Sequence, residues 1–180
     1  MAEMVSNEEK EEVLERVEQR AASYMYEYKG CAQAVLLALQ QEFKLPGGSA
    51  ALKAASFAGR GVARLGDMCG ALFGSIMALG LASGRENLED PAYPDPGVID
   101  QASGLPRSLV LVRRFYQSFV QEFGGSTCRD IQVKMFGRSY DFGNPEENEE
   151  FSRLSNTKCA EMVGQVARLT AETILEMPRR

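Results

Sequence analysis

Apolar residues recur every three to four positions along most of the chain, which is the period of an amphipathic α-helix. The first stripe follows a capping box, in which Ser6 caps the helix and Glu9 stands three residues later. It consists of Val13, Leu14, Val17, Ala21, Tyr24, Met25 and Tyr28. Gly30 comes next, and because glycine readily adopts a left-handed backbone, we predict that it ends this helix.

Similar stripes and the turns between them predict five or six further helices. They start at about Cys31, after the cap Ser49, at Cys69, at Arg107, after Thr127 and at about Lys158. Thr127 forms a second capping pair with Asp130. The last helix ends near Glu176. No alternating strand pattern is present anywhere. The sequence therefore predicts an all-α fold, a single-domain bundle of six or seven helices over residues 1–180.

The segment between Asp67 and Arg85 contains no charged residue and is apolar on nearly every face of a helix. It is short for a membrane span and rich in glycine, so a buried core helix over 69–83 is the better interpretation. Gly70 and Gly74 lie four residues apart, which leaves one face nearly bare and allows a neighbouring backbone to approach.

A proline-rich stretch follows, from about residue 85 to residue 106, with Pro91, Pro94, Pro96 and Pro106. Loops of this length are uncommon in compact domains and often carry function. Two interpretations stay open, a surface insertion and a lid.

Charge and composition exclude several classes of function. The net charge of −5 and the scattered Lys and Arg residues argue against a nucleic-acid partner, because phosphate binding requires a basic face. The acidic N-terminus has no apolar run of the secretory type. We therefore expect a soluble, cytoplasmic protein with no membrane segment, in a compartment that keeps thiols reduced.

Histidine is absent from the sequence. Ser-His-Asp and Cys-His catalysis, zinc sites with imidazole ligands and haem on a proximal histidine are therefore excluded. Any general base would be a carboxylate, a lysine, a tyrosine or a thiolate.

The chemistry then rests on Cys31, Cys69, Cys128 and Cys159, which form no CxxC pair. Spacing alone fits inert, buried thiols as well as a site. Three of the four, however, stand at predicted helix starts, where unpaired N–H groups favour the thiolate. Cys159 lies within the apolar stripe of the last helix, as a resolving partner or a core residue. We predict that at least three of the four come together and that Cys69 is the most reactive.

Charged residues near these cysteines have weaker claims. Lys29, Arg60, Arg64 and Arg129 could stabilise a thiolate, but solvated surface positions are the more frequent role for such side chains. Asp67 is interpreted as the N-cap of the helix that starts at Cys69.

The segments 30–35 (GCAQAV) and 69–74 (CGALFG) resemble the motifs of the C_GCAxxG_C_C family, and the later Cys128 and Cys159 match its last two cysteines. The resemblance covers about residues 20–165. Family members are small helical redox-active proteins of bacteria and archaea, and they are similar to a domain of split-Soret cytochromes. This chain has no CxxCH motif, so covalent haem is excluded.

The resemblance implies redox activity or metal binding by Cys31, Cys69, Cys128 and Cys159. Three hypotheses remain from the sequence. The first is thiol/disulfide electron transfer with a redox-protein partner, as in a thiol-dependent oxidoreductase. The second is an iron–sulfur cluster, zinc or another thiophilic metal on the same four cysteines. The third is an interaction module with inert cysteines. The sequence names no substrate and no oligomeric state.

Overall fold

The computed structural model describes residues 6–91 and 99–178. Seven α-helices account for most of them: α1 (Asn7–Tyr28), α2 (Cys31–Phe43), α3 (Gly48–Ala54), α4 (Gly70–Ser83), α5 (Arg107–Phe123), α6 (Cys128–Phe136) and α7 (Pro145–Glu176). A single 3-10 turn, Ser56–Ala58, follows α3. The described part of the chain contains no strand, only two isolated bridges. The prediction of an all-α fold with six or seven helices is confirmed.

Local signals fix several helix ends. Both predicted capping boxes are present, Ser6 with Glu9 at α1 and Thr127 with Asp130 at α6. Helix α5 has the predicted bounds. Each capping hydroxyl accepts a hydrogen bond from a backbone N–H that the helix itself leaves without a partner, which is why these short signals are reliable.

Other predicted ends are wrong. The left-handed residue that ends α1 is Lys29, with φ of 61°, whereas Gly30 is the N-cap of α2. Gly47, not Ser49, is the N-cap of α3. The predicted helix from Ser49 onward is divided at Ala55 into α3 and the 3-10 turn.

The largest difference concerns α7, which begins at Pro145 and not near Lys158. Asn144 caps it by accepting hydrogen bonds from the N–H groups of Glu146 and Glu147, and proline at the first position requires no N–H partner. With 32 residues the helix is about 48 Å long, enough to run along the whole bundle.

Helices α1 and α7 pack along each other in opposite directions. Arg168 of α7 forms an ion pair with Glu11, whereas Gly164, one turn earlier, lies against Glu18 and Ala22 of α1. Helix α2 packs against α1, α4 and α7, and α5 packs against α4 and α7. The fully buried large hydrophobic side chains come from five of the helices: Val17, Val35, Leu36, Leu39, Leu72, Leu79, Phe115, Phe119, Val163 and Val166.

Helix α4 packs against α2, α5 and α7, as its apolar sequence predicts. It is not enclosed on every side, however, because Ile76 is 39% exposed and Gly80 faces solvent. The long loop after α4 lies partly outside the described residues. Its described end is a turn in which Asp100 accepts hydrogen bonds from Ser103 and Ile99 bridges to Pro106.

Candidate four-cysteine site

Two turns are joined side by side at one end of the bundle, and each leads directly into a cysteine. The N–H of Cys69 donates to the carbonyl of Ser126, the N–H of Cys128 donates to the carbonyl of Asp67, and that of Arg129 donates to Gly66. This short ladder places the start of α4 beside the start of α6. Cys69 and Cys128, 59 positions apart in the sequence, become neighbours for this reason.

Glycines in α4 bring the start of α2 to the same place. A Cβ atom on Gly70 would lie 2.8 Å from the carbonyl oxygen of Ala58 and 3.2 Å from the Cβ of Cys31. A Cβ atom on Gly74 would overlap the backbone of Ala32. Since glycine has no side chain, the two helices touch backbone to backbone there, and Cys31 is held against the N-terminus of α4.

All four cysteines line one cavity of about 150 Å³. Helix starts supply Cys31, Cys69 and Cys128, and the middle of α7 supplies Cys159. The cavity is mainly apolar, with Met25, Ile131, Met135, Phe136, Phe151 and Met162 in its wall. All four cysteines thus stand in the wall of one cavity, and that three or more of them act together as one site stays a prediction.

The four thiols differ in depth. Cys69 and Cys159 are buried, and Cys31 and Cys128 are partly buried. Burial raises the pKa of Cys69 to about 12 and that of Cys128 to about 11. It also raises the pKa of Cys31 and of Cys159, because an apolar surrounding disfavours the charged thiolate.

These directions correct the expectation that helix starts give low-pKa thiols. Backbone N–H groups do act on the sulfurs as anticipated, those of Ala71 and Leu72 on Cys69 and that of Arg60 on Cys31, and they lower the pKa. Desolvation is the larger effect at each of these sites. Cys69, at 3% exposure, is therefore poorly placed as the most reactive thiol.

A buried amide contacts one of the sulfurs. Nε2 of Gln132, one turn after Cys128 on α6, donates to Sγ of Cys128 over 3.1 Å. Its Oε1 accepts the backbone N–H of Tyr140 over 2.8 Å. Sequence reasoning missed Gln132, although its spacing of four residues from Cys128 on a predicted helix places both on one face.

Arg60 is the other polar group that the structure adds to the site. Its guanidinium lies over the rings of Phe142 and Phe151 and donates to Asn148 and Ser152. Among the described residues no carboxylate lies within salt-bridge distance of it. Arg60 lines the cavity and is not the solvated surface charge that was expected.

The backbone that presents Arg60 is strained. Residues 60–64 all have positive φ values, between 52° and 76°, which makes a short left-handed turn. For residues with a side chain this conformation costs about 1–2 kcal/mol each, and the β-branched Val62 is an unfavourable occupant. Strain of this kind persists where the surrounding structure imposes it, often at functional sites.

The remaining charged candidates lie outside the cavity or at its edge. Lys29 lines it but donates its ammonium group to the carbonyl of Tyr26. Arg129 donates to the carbonyl of Leu65, and Arg64 faces neighbouring surface grooves. Asp67 is not the cap of α4, because Cys69 itself occupies the N-cap position.

The comparisons with known proteins identify the family. A model of the family described as "Putative redox-active protein (C_GCAxxG_C_C)" matches residues 29–173, about four fifths of the chain. The chain belongs to this family. No curated protein and no solved structure matches the chain significantly. The matched range contains all four cysteines together with Arg60 and Gln132, and of the cavity wall only Met25 lies outside it.

The cavity offers the thiols of four cysteines as ligands for a metal ion or cluster. Within residues 6–91 and 99–178, no three cysteine or acidic side chains stand close enough to hold a single metal ion. Four thiols around one cavity are nevertheless the donor set of iron–sulfur clusters, whose several metal atoms spread the ligands apart. The described residues therefore offer four thiols in one cavity wall, without the close grouping that a lone zinc ion requires.

One residue of the cavity wall has a buried polar atom without a partner. Oδ1 of Asn156, a residue of the cavity wall, is buried and has no hydrogen bond among the described residues. Buried polar groups of folded proteins nearly always have a partner, and Oε1 of Gln40, outside this cavity, is the second such atom among the described residues.

The described residues contain no helix with the length and apolarity required to cross a lipid bilayer.

Proposed function

We propose that this member of the C_GCAxxG_C_C family is an electron-transfer protein whose redox centre comprises Cys31, Cys69, Cys128 and Cys159, acting by thiol/disulfide exchange. The observation that carries the proposal is the single cavity lined by all four thiols. Inert core cysteines have no reason to gather, since any small apolar residue would pack equally well at each position. Three separate helix starts converge on this cavity.

Disulfide formation in the cavity is a two-electron oxidation. Two thiols of the cavity lose two electrons and two protons and form one disulfide. An oxidised redox partner takes the electrons: its own disulfide becomes two thiols and takes the two protons as well, or another two-electron acceptor takes the electrons and the protons pass to water. Cys31 and Cys128 are the less buried pair and are the ones a partner reaches first. Arg60 stabilises the thiolate that must form before exchange. A reducing cytoplasm would return the centre to its thiol form.

A second candidate is an iron–sulfur cluster on the same four cysteines, and the thiol pKa values favour it. At neutral pH a thiol with a pKa of about 11 or 12 is almost entirely protonated and is a slow nucleophile. Bound iron would supply one-electron redox chemistry and would keep the thiols deprotonated regardless of burial. The mainly apolar cavity wall would exclude water.

The test is purification without oxygen, followed by a visible spectrum, metal analysis and a count of free thiols before and after a mild oxidant. Thiol/disulfide chemistry predicts a colourless, metal-free protein that loses two or four thiols on oxidation and regains them with dithiothreitol. A brown protein with stoichiometric iron and sulfide supports the second candidate. A metal-free protein whose four thiols all survive the oxidant contradicts both.

A further inference from the structure

Gln132 combines three properties that are seldom found together in a side chain. It is 2% exposed, it lies on a helix face that is otherwise packed against apolar groups, and its amide nitrogen donates to a cysteine sulfur. A glutamine buried this deeply loses its hydration and must recover hydrogen bonds inside the protein. Gln132 forms two such bonds, one to Sγ of Cys128 and one from the backbone N–H of Tyr140.

The bond from Tyr140 fixes the direction of the amide. Because a backbone N–H can only donate, the atom that faces it must be the amide oxygen, and the NH₂ group must then point at Cys128. The sulfur therefore faces a donor whose orientation is set by a second part of the chain, the segment between α6 and α7. A donor held in this way acts continuously on the sulfur.

We infer that Gln132 is a positioning residue that raises the reduction potential of the four-cysteine centre through its N–H···S bond to Cys128. The inference rests on the proposed function. Electron uptake makes the sulfur a better hydrogen-bond acceptor, whether a disulfide becomes a thiol or thiolate or a metal-bound thiolate becomes more reduced. A hydrogen-bond donor stabilises that form more than the oxidised one, so the direction is the same for both chemistries.

A purely structural role for Gln132 makes a different prediction. If the amide served only to satisfy Tyr140 and fill space, its replacement would change the free energy of unfolding and leave the potential unchanged. The chain offers a matched control for that case. Gln40 is also buried, at 7% exposure, and donates to the carbonyl of Pro46, outside the cysteine cavity.

The experiment measures the reduction potential of wild type, Gln132→Glu, Gln132→Leu and Gln40→Leu. Metal-free protein is equilibrated with reduced and oxidised dithiothreitol at pH 7, which supplies and removes the electrons. Protein that is purified with metal is titrated in the presence of redox dyes. Gln132→Glu keeps the acceptor for Tyr140 but has no N–H for the sulfur, so it carries the test even if Gln132→Leu folds poorly.

Both Gln132 variants are expected to lower the equilibrium constant for reduction about tenfold or more, about 30 mV for a two-electron couple and 59 mV for a one-electron couple. Gln40→Leu should match wild type in potential whatever its thermal midpoint. An unchanged potential in Gln132→Glu, or an equal shift in Gln40→Leu, overturns the inference and leaves the proposed function intact. A wild-type protein that exchanges no electrons overturns both.

Discussion

The cavity has two unlike pairs of cysteines. Cys31 and Cys128 are partly buried, and the sulfur of Cys128 accepts a hydrogen bond from the side-chain amide of Gln132. Cys69 and Cys159 are buried, and for both burial is the first cause of a strongly raised pKa. One pair is partly accessible to solvent, whereas the other is enclosed by the protein.

Position on a helix therefore does not decide the chemistry of a cysteine. Cys31, Cys69 and Cys128 all stand at helix starts, yet Cys69 resembles Cys159 of mid-α7 more closely than it resembles the other two. The partial charge at a helix N-terminus contributes up to about 2 kcal/mol in favourable cases. The cost of burying a thiolate in an apolar wall is larger at this site, so depth determines how the thiols behave.

The largest effect expected from this difference is on stability at high pH. An acid whose folded-state pKa is raised stabilises the fold fully below its unfolded pKa, near 8.5 for cysteine, and this stability is lost as pH rises toward the folded-state value. For Cys69 the window extends from about 8.5 to about 12, with a loss of about 1.4 kcal/mol per pH unit. Urea unfolding of the reduced, metal-free protein between pH 8 and pH 10.5 measures it.

The control for that prediction is Cys69→Ser, whose hydroxyl does not ionise in this range. Its free energy of unfolding should fall less steeply with pH than that of wild type. Equal slopes for the two proteins would mean that the thiol of Cys69 is not buried as described.

The next effect concerns the glycine contact that holds Cys31 against Cys69. Gly74→Ala should push α4 away from Ala32 and cost about 1–3 kcal/mol of unfolding free energy, since a Cβ atom has no room there. Gly80→Ala is the matched control on the same helix, because a Cβ atom at Gly80 meets nothing within 4 Å. It should stabilise the helix by about 0.5–1 kcal/mol. Equal chemical-denaturation midpoints for the two variants would contradict the packing of α4 on α2.

A smaller effect should separate the thiols themselves. In native, metal-free protein at pH 8, iodoacetamide should alkylate Cys128 about tenfold faster than Cys69, because their pKa values of about 11 and about 12 differ by one unit. Mass spectrometry of each cysteine-containing peptide gives the rates. Protein treated with a chelator beforehand is the control for thiols occupied by metal. Faster labelling of Cys69 than of Cys128 would reverse the assignment of the two pairs.

The smallest effect is expected at Arg60. Arg60→Met should slow the alkylation of Cys31 about two- to fivefold, because it removes a positive charge that favours the thiolate, in a site that is partly open to solvent. Arg60→Lys should retain most of the rate. Arg64→Met, on the same turn but outside the cavity wall, should leave it unchanged. A rate in Arg60→Met equal to that of wild type would remove Arg60 from the site.

Local signals in the sequence predicted much of this fold and only part of the site. The capping pairs Ser6 with Glu9 and Thr127 with Asp130 act within one turn of a helix, so they could be recognised without knowing the packing. The start of α7 carried such a signal in Asn144 and Pro145, but the polar residues after it obscured the helix. The four cysteines were found because cysteine chemistry and the family motifs single them out.

The parts that were missed depend on contacts between distant segments. Whether Cys69 lies at the surface or is enclosed by the protein is decided by the packing of α2, α6 and α7 around it, which no helix-start rule contains. The left-handed turn at residues 60–64 shows no glycine pattern that would predict it, because only Gly61 among them is glycine. Because Gln132 is polar, the sequence alone predicts that its side chain faces solvent. Its hydrogen bond from the backbone N–H of Tyr140 is known only from the fold.

The most direct test of the central claim, that four cysteines form one redox centre, is coulometric titration of wild type and of the four single Cys→Ser variants without oxygen. We expect reversible uptake of at least one electron per chain in the wild-type protein. Cys128→Ser should change the potential or the number of electrons, and Cys69→Ser, Cys159→Ser and Cys31→Ser should each do the same. Electron uptake that is absent in wild type, or identical in all five proteins, would contradict it.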